Sequence, residues 1–161
     1  MKARDKLITF NVHRLALPVV KRFVPAEVIP MTMEELQQLP EGSLGNGLFH
    51  FLTFNHFTFL PHFETHDVKH VLLGYNASGK EEACMQYFYI GNRHYSSASI
   101  VSAIASLLLM PEHVFAFIKA FKRGRKALPI GKIHLGELLH CNVQELQTRF
   151  CIENFSRNEL N

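Results

Sequence analysis

His66, Asp67, His70 and Glu82 are the residues of this chain whose types and spacing could do chemistry together. Residues four apart on a helix stack on one face, so a helix over 66–73 aims the imidazoles of His66 and His70 at a common point. Two imidazoles on one face are the beginning of a metal site. Asp67, one position round, is close enough either to bind the ion or to hold a ligand histidine by its other ring nitrogen. Glu82 must come from a second element, so the chain has to reverse between residues 73 and 82. The stretch Gly74-Tyr75-Asn76-Ala77-Ser78-Gly79 supplies the reversal. Gly74 is placed as the left-handed residue that ends a helix, and Ser78 with Glu81 three residues on forms a capping box that opens the next. Glu82 then falls in the first turn of the second helix and faces the first across a short loop. Two imidazoles and two carboxylates suit zinc, iron, manganese or cobalt better than Cu(I), which prefers sulfur, and the motif puts zinc first, with magnesium also possible. Three or four such ligands leave a position for water or substrate, the condition for Lewis-acid chemistry.

The flanking elements must position these groups. Thr32 and Glu35 form a second capping box, opening a helix that runs to Leu39 and is stopped by Pro40. Between 44 and 59, Phe49, Phe51, Phe57 and Phe59 alternate as in a strand, while Leu48, Phe51, Leu52 and Asn55 share one helical face, and the residues alone leave both open. A helix over 80–89 carries Glu82 and buries Ala83, Met85, Phe88 and Tyr89. Residues 96–110 are apolar nearly all round, as in a helix that is buried or faces lipid, but the run is shorter than the roughly 20 residues needed to span a bilayer. Pro111 opens a helix over 112–123. At its end stand Lys119, Lys122, Arg123, Arg125 and Lys126, which read either as a solvated helix end or as a patch for anionic lipid head groups or a diphosphate. Two short helices follow over 133–140 and 143–150, the second capped by Asn142. His50, His56 and His62 recur every six residues, which matches no shared face, and they form no second metal cluster.

Composition bounds the remaining classes. A chain of 161 residues, 47% hydrophobic, can bury the core of one globular domain. Its three cysteines, Cys84, Cys141 and Cys151, show no C-x-x-C spacing, which argues against a disulfide framework or thiolate zinc site and for a reducing compartment. A net charge of +3 without a long basic run argues against nucleic acid as the main partner. The N-terminal segment 1–30 carries six Lys and Arg before Phe23 against Asp5 alone, and reads as an amphipathic docking helix, a membrane-facing one or a transit peptide. It lacks the uninterrupted apolar run of a secretory signal. The polar tail from 153 is expected to fray. A His-Asp phosphohydrolase also uses such a dyad, but it requires a downstream Asp ligand, and no Asp follows Asp67.

The run HDVKHVLLGYNASGKEE resembles the H-D-x-x-H, eleven residues, E signature of the coenzyme-Q-four family of ubiquinone biosynthesis proteins, including the glycine four residues after His70. Leu39-Pro40-Glu41-Gly42-Ser43-Leu44-Gly45 is similar to the family's stretch before the metal helix. Ala83 to Phe88 follow Glu82 as the family's helix does, and Phe121-Lys122-Arg123-Gly124-Arg125-Lys126-Ala127 resembles its basic, glycine-containing element. The likeness spans about residues 33–150. It implies helix over the ambiguous Phe-rich stretch, and an all-α, single-domain helical bundle over 1–161 with an apolar interior. It further implies that His66, Asp67, His70 and Glu82 ligate the metal, with Lys122, Arg123, Arg125 and Lys126 available to a lipid head group. The implied activity is metal-assisted oxidative decarboxylation of the ring of a polyprenylated hydroxybenzoate or quinone precursor. The alternative is a non-enzymatic polyprenyl-lipid-binding scaffold that organises other quinone-biosynthesis proteins. The expected setting is cytoplasmic, peripheral to the inner (plasma) membrane. So apolar a helical domain is expected to pair as a homodimer.

Overall fold

Capping residues legible in the sequence set where the helices begin. In the computed structural model, which describes residues 29, 31–57, 64–131 and 133–154, the order is α1 (Met33–Gln38), α2 (Leu44–Asn55), α3 (Glu64–Leu73), α4 (Gly79–Gly91), α5 (Ser97–Leu109), α6 (Val114–Lys126) and α7 (Val143–Arg149). Short 3-10 turns lie at Pro111–His113 and Leu135–Leu138. The described residues hold no strand beyond a single bridge between Ser43 and Asn142, so the all-α expectation is met. His62, the polar tail after Asn154, and the N-terminal segment apart from Ile29 lie outside the described residues.

Both halves of the first capping box are present: Glu35 N–H donates to Thr32 Oγ1 at 3.2 Å, and Thr32 N–H donates to the Glu35 carboxylate at 2.7 Å. The second box is half-formed. Ser78 Oγ accepts from Glu81 N–H, but the Glu81 carboxylate reaches past Ser78 to the backbone and side-chain amides of Asn76, tying the reversal loop to α4. Asn142 caps α7 by accepting from Gln144 and Glu145 N–H.

Three boundaries differ from expectation. The Phe-rich helix stops at Asn55, where His56 takes a left-handed conformation with φ of 55°. Residues 133–140 form only a 3-10 turn, with Gly136 in its middle, since glycine is among the poorest helix formers. Helix α6 runs on to Lys126, so the basic run lies on the helix rather than beyond it.

The core gathers Leu44, Leu48 and Leu52 of α2, Val68, Leu72 and Leu73 of α3, Met85 and Phe88 of α4, Phe117 of α6 and Leu146 of α7. Ala83, Met85, Phe88 and Tyr89 are buried, as expected for α4, and Cys84 joins them. Helix α4 packs most extensively on α6 and next on α5, with Tyr87 stacked on Phe117 at 4.8 Å. Helix α5 turns Ser99, Ala103, Ser106 and the following Met110 inward, and leaves its large aliphatic residues in the open. No single helix among the described residues is long and apolar enough to cross a membrane.

Candidate metal centre

The end of α3 explains the position of its histidines. An α-helix leaves its last four carbonyls without intrahelical partners. Here all four are taken: His70 O by Tyr75 N–H at 3.0 Å, Val71 O by Gly74 N–H at 3.2 Å, Leu72 O by Gln147 Nε2 at 2.9 Å and Leu73 O by Arg123 Nη2 at 2.7 Å. The first two form a Schellman stop around Gly74, whose φ of +73° is the left-handed conformation that glycine adopts without cost. The last two bolt the end of α3 to α7 and α6.

Gly74 also sends the chain back so that the Tyr75 carbonyl meets His70. His70 Nδ1 lies 3.2 Å from Tyr75 O. A carbonyl only accepts, so Nδ1 carries the proton, and in the neutral ring Nε2 is left with a lone pair. Phe51 of α2 stacks on the same ring, with centroids 5.0 Å apart and planes 19° apart. His70 is 1% exposed.

Glu82, in the first turn of α4, enters from the other side. Its Oε1 lies 3.1 Å from His70 Nε2 and its Oε2 lies 3.6 Å from His66 Nε2. His70 Nε2 is buried and makes no hydrogen bond. His66 Nδ1 faces Asp67 Oδ1 at 3.4 Å. One ligand atom from each of His66, His70 and Glu82 lies within 4.8 Å of the other two, the one such cluster among the described residues. Asp67 stands behind His66, on the ring nitrogen that points away from Glu82. Of the two roles open to it, this position fits the holding of His66 rather than ligation.

Charge around the cluster is matched. Burial pushes His66 down, but hydrogen bonds and charge from Asp67 and Glu82 outweigh it and raise the imidazole to about 9. Burial pushes Glu82 up, and the two neighbouring imidazoles overcome that, holding its carboxyl well below the usual carboxylate range. The donor set fits a divalent ion: two imidazoles and a carboxylate converge on one point, and the buried Nε2 of His70 makes no hydrogen bond within the fold. His66 is partly exposed, with 36% of its side chain accessible, and leaves that side open.

The basic run behaves differently from a uniform patch. Arg123 is turned inward and 6% exposed, donating to Leu73 O and, through Nε, to Glu153 O at 2.7 Å, with its guanidinium against the rings of Tyr75 and Phe88. It is therefore withdrawn from any head-group surface. Lys122, Arg125 and Lys126 are exposed, and Lys126 pairs with Glu153 at 2.6 Å. His50 and His56 lie apart from the cluster. Sequence reasoning missed the Tyr75 carbonyl, the Phe51 stack, and Arg123 and Gln147 as anchors of α3, because a backbone acceptor and a tertiary partner leave no local spacing to read.

Fold and site together define an all-α protein with a partly buried His/His/Glu cluster that could hold a divalent ion. No family model and no curated protein matches the chain. Its fold is similar to the crystal structure of a protein from Nostoc punctiforme assigned, provisionally, to ubiquinone biosynthesis, with a TM-score of 0.63 over 94% of this chain and 82% of that one, at 18% identity. At that identity the likeness is one of fold.

Proposed function

We propose that this chain is a metalloprotein of quinone biosynthesis in which His66, His70 and Glu82 hold a divalent ion, zinc first. The observation that carries the metal reading is the unpartnered Nε2 of His70, buried 3.1 Å from Glu82 Oε1. The substrate class, a polyprenylated hydroxybenzoate or quinone precursor, is supported by the motif and by the fold shared with the Nostoc punctiforme protein. A bound ion would supply Lewis acidity, polarising the carboxylate and phenolate of such a ring towards loss of CO2, with a proton taking the vacated ring position; putting oxygen there instead would require a two-electron oxidant such as O2 as co-substrate. The chain's own groups do the positioning. Tyr75 O fixes the tautomer of His70, Asp67 fixes the ring of His66, and Phe51 shields one face of His70 from water. The open side at His66 is where a head group would enter. A second reading, a non-enzymatic polyprenyl-lipid-binding scaffold, is favoured by the exposed aliphatic face of α5.

Elemental analysis of the purified protein beside His70→Ala and Glu82→Gln separates these readings, with co-purified lipid extracted from the same samples. Near-stoichiometric metal that both folded variants lose, followed by metal-dependent turnover of a prenylated hydroxybenzoate, is the expected result. Metal-free wild type with unchanged variants would sink the metal site. Retained metal with bound prenyl lipid but no turnover favours the scaffold.

A further inference from the structure

Helix α5 is built the wrong way round for water. A surface helix ordinarily buries its large apolar residues and exposes small or polar ones. Across its 13 residues α5 contains no charge, packs Ser99, Ala103 and Ser106 inward, and exposes Val101 to 65%, Ile104 to 57% and Leu108 to 77%. Tyr87 Oη donates to Ala103 O at 2.8 Å, which fixes this orientation on α4. Small residues at the helix–helix contact and large aliphatics outward is the arrangement of helices that face lipid. Beyond the Pro111 break the chain turns by 107° into α6, whose Phe115 is 77% exposed and Ile118 44% exposed. Lys119, Lys122 and Arg125 are exposed further along α6. Of the five Lys and Arg on α6, Arg123 is buried and Lys126 pairs with Glu153, and the helix itself carries no acid.

We propose that the outer face of α5, with Phe115 and Ile118, is a membrane-docking surface that inserts its aliphatic side chains into one leaflet of a bilayer rich in anionic lipid, with Lys119, Lys122 and Arg125 meeting the head groups. Charge complementarity decides for lipid over a second copy of the chain. An isologous pair brings the same patch of each copy together, so the exposed Lys122 and Arg125 of one copy would meet the same cations of the other, whereas anionic head groups supply the opposite charge. The two helices lie in the plane of the interface, since neither spans the bilayer and the inner side of α6 is committed to α4. Nothing here depends on the metal cluster, so docking and metal binding can fail separately.

The test is flotation of the full-length protein with phosphatidylcholine vesicles, with and without phosphatidylglycerol, beside sedimentation velocity without lipid. The wild type is expected to float with the anionic vesicles and to be released by salt. Ile104→Glu combined with Leu108→Glu is expected to cut partitioning about ten-fold or more. Lys122→Glu combined with Arg125→Glu is expected to do likewise at low salt and to abolish the salt dependence. Metal content and thermal unfolding should stay as in the wild type. Leu108→Ser, a milder change at the most exposed position of α5, keeps the test readable if the double glutamate variant fails to fold. Failure of the wild type to float with anionic vesicles, or equal flotation of the α5 variants, overturns the proposal. So does a wild-type dimer that the α5 variants split, which would assign the face to a second copy.

Discussion

Gly91 of α4 and Gly124 of α6 face each other where the two helices cross, and each is bare because the other helix's backbone fills the space. A Cβ on Gly91 would stand 2.1 Å from Phe121 O, and one on Gly124 would stand 2.1 Å from Phe88 O. The crossing is thus reciprocal.

Gly124→Ala and Gly91→Ala should each destabilise the fold. The added methyl gains about 1 kcal/mol of helix propensity. Overpacking against a carbonyl that cannot swing away outweighs this, for a net loss of about 2 kcal/mol or more in denaturant unfolding. Gly136→Ala, where nothing lies within 4 Å of the new methyl, should change stability by less than about 0.5 kcal/mol. Equal effects at the three positions would refute the close crossing.

Asn92, next to Gly91, pins the same junction. Its Nδ2 is within 3.2 Å of Gly124 O, Ala127 O and Leu128 O, and its Oδ1 accepts from Ile130 N–H at 2.9 Å. Asn92→Asp should be less stable than Asn92→Ala at neutral pH, by about 2 kcal/mol or more, because it sets a buried negative charge against three acceptors. The gap should close as pH falls and the carboxyl protonates. Thermal unfolding across pH decides this, and a gap that ignores pH would mean Asn92 serves by shape alone.

The parts legible in the sequence are those written in neighbouring residues. Thr32, Gly74, Ser78 and Asn142 announce helix ends through their own side chains or lack of one, and His66, His70 and Glu82 converge because helix period and loop length dictate it. What escaped was written across distance. Gly91 and Gly124 are 33 positions apart, and nothing near either says that the other is its partner. The inverted face of α5 is invisible in a run that is apolar nearly all round, because such a run carries no preferred side. Arg123 looks like its basic neighbours until helical rotation carries it, alone among them, to the buried side.

Arg123→Lys should accordingly cost more than any change at its exposed neighbours. Lysine keeps the charge but cannot bond Leu73 O and Glu153 O from two nitrogens of one plane. A loss of about 2 kcal/mol or more is expected, against less than about 0.5 kcal/mol for Lys122→Ala. Denaturant midpoints for the two variants check it. Indistinguishable midpoints would return Arg123 to the surface patch.

The pH response of the metal-free protein should carry the signature of the cluster itself. His66 is raised from its ordinary 6.5 to about 9, so its contribution to stability is full below 6.5 and is lost as pH rises through about 9. Glu82 is lowered from its ordinary 4.5, so its contribution is present above 4.5 and is lost as pH falls through its own lowered value. The pair therefore stabilises the metal-free fold most fully between 4.5 and 6.5. His66→Gln should remove the alkaline limb from a plot of unfolding midpoint against pH. Metal binding has the opposite slope, since an ion must displace the proton from His66, and affinity should fall about ten-fold per pH unit below about 9. Asp67→Asn withdraws the carboxylate that helps to hold that proton and should move the onset of the fall to lower pH. Calorimetric titration with zinc at a series of pH values measures this, and an onset that Asp67→Asn leaves in place would refute the part assigned to Asp67.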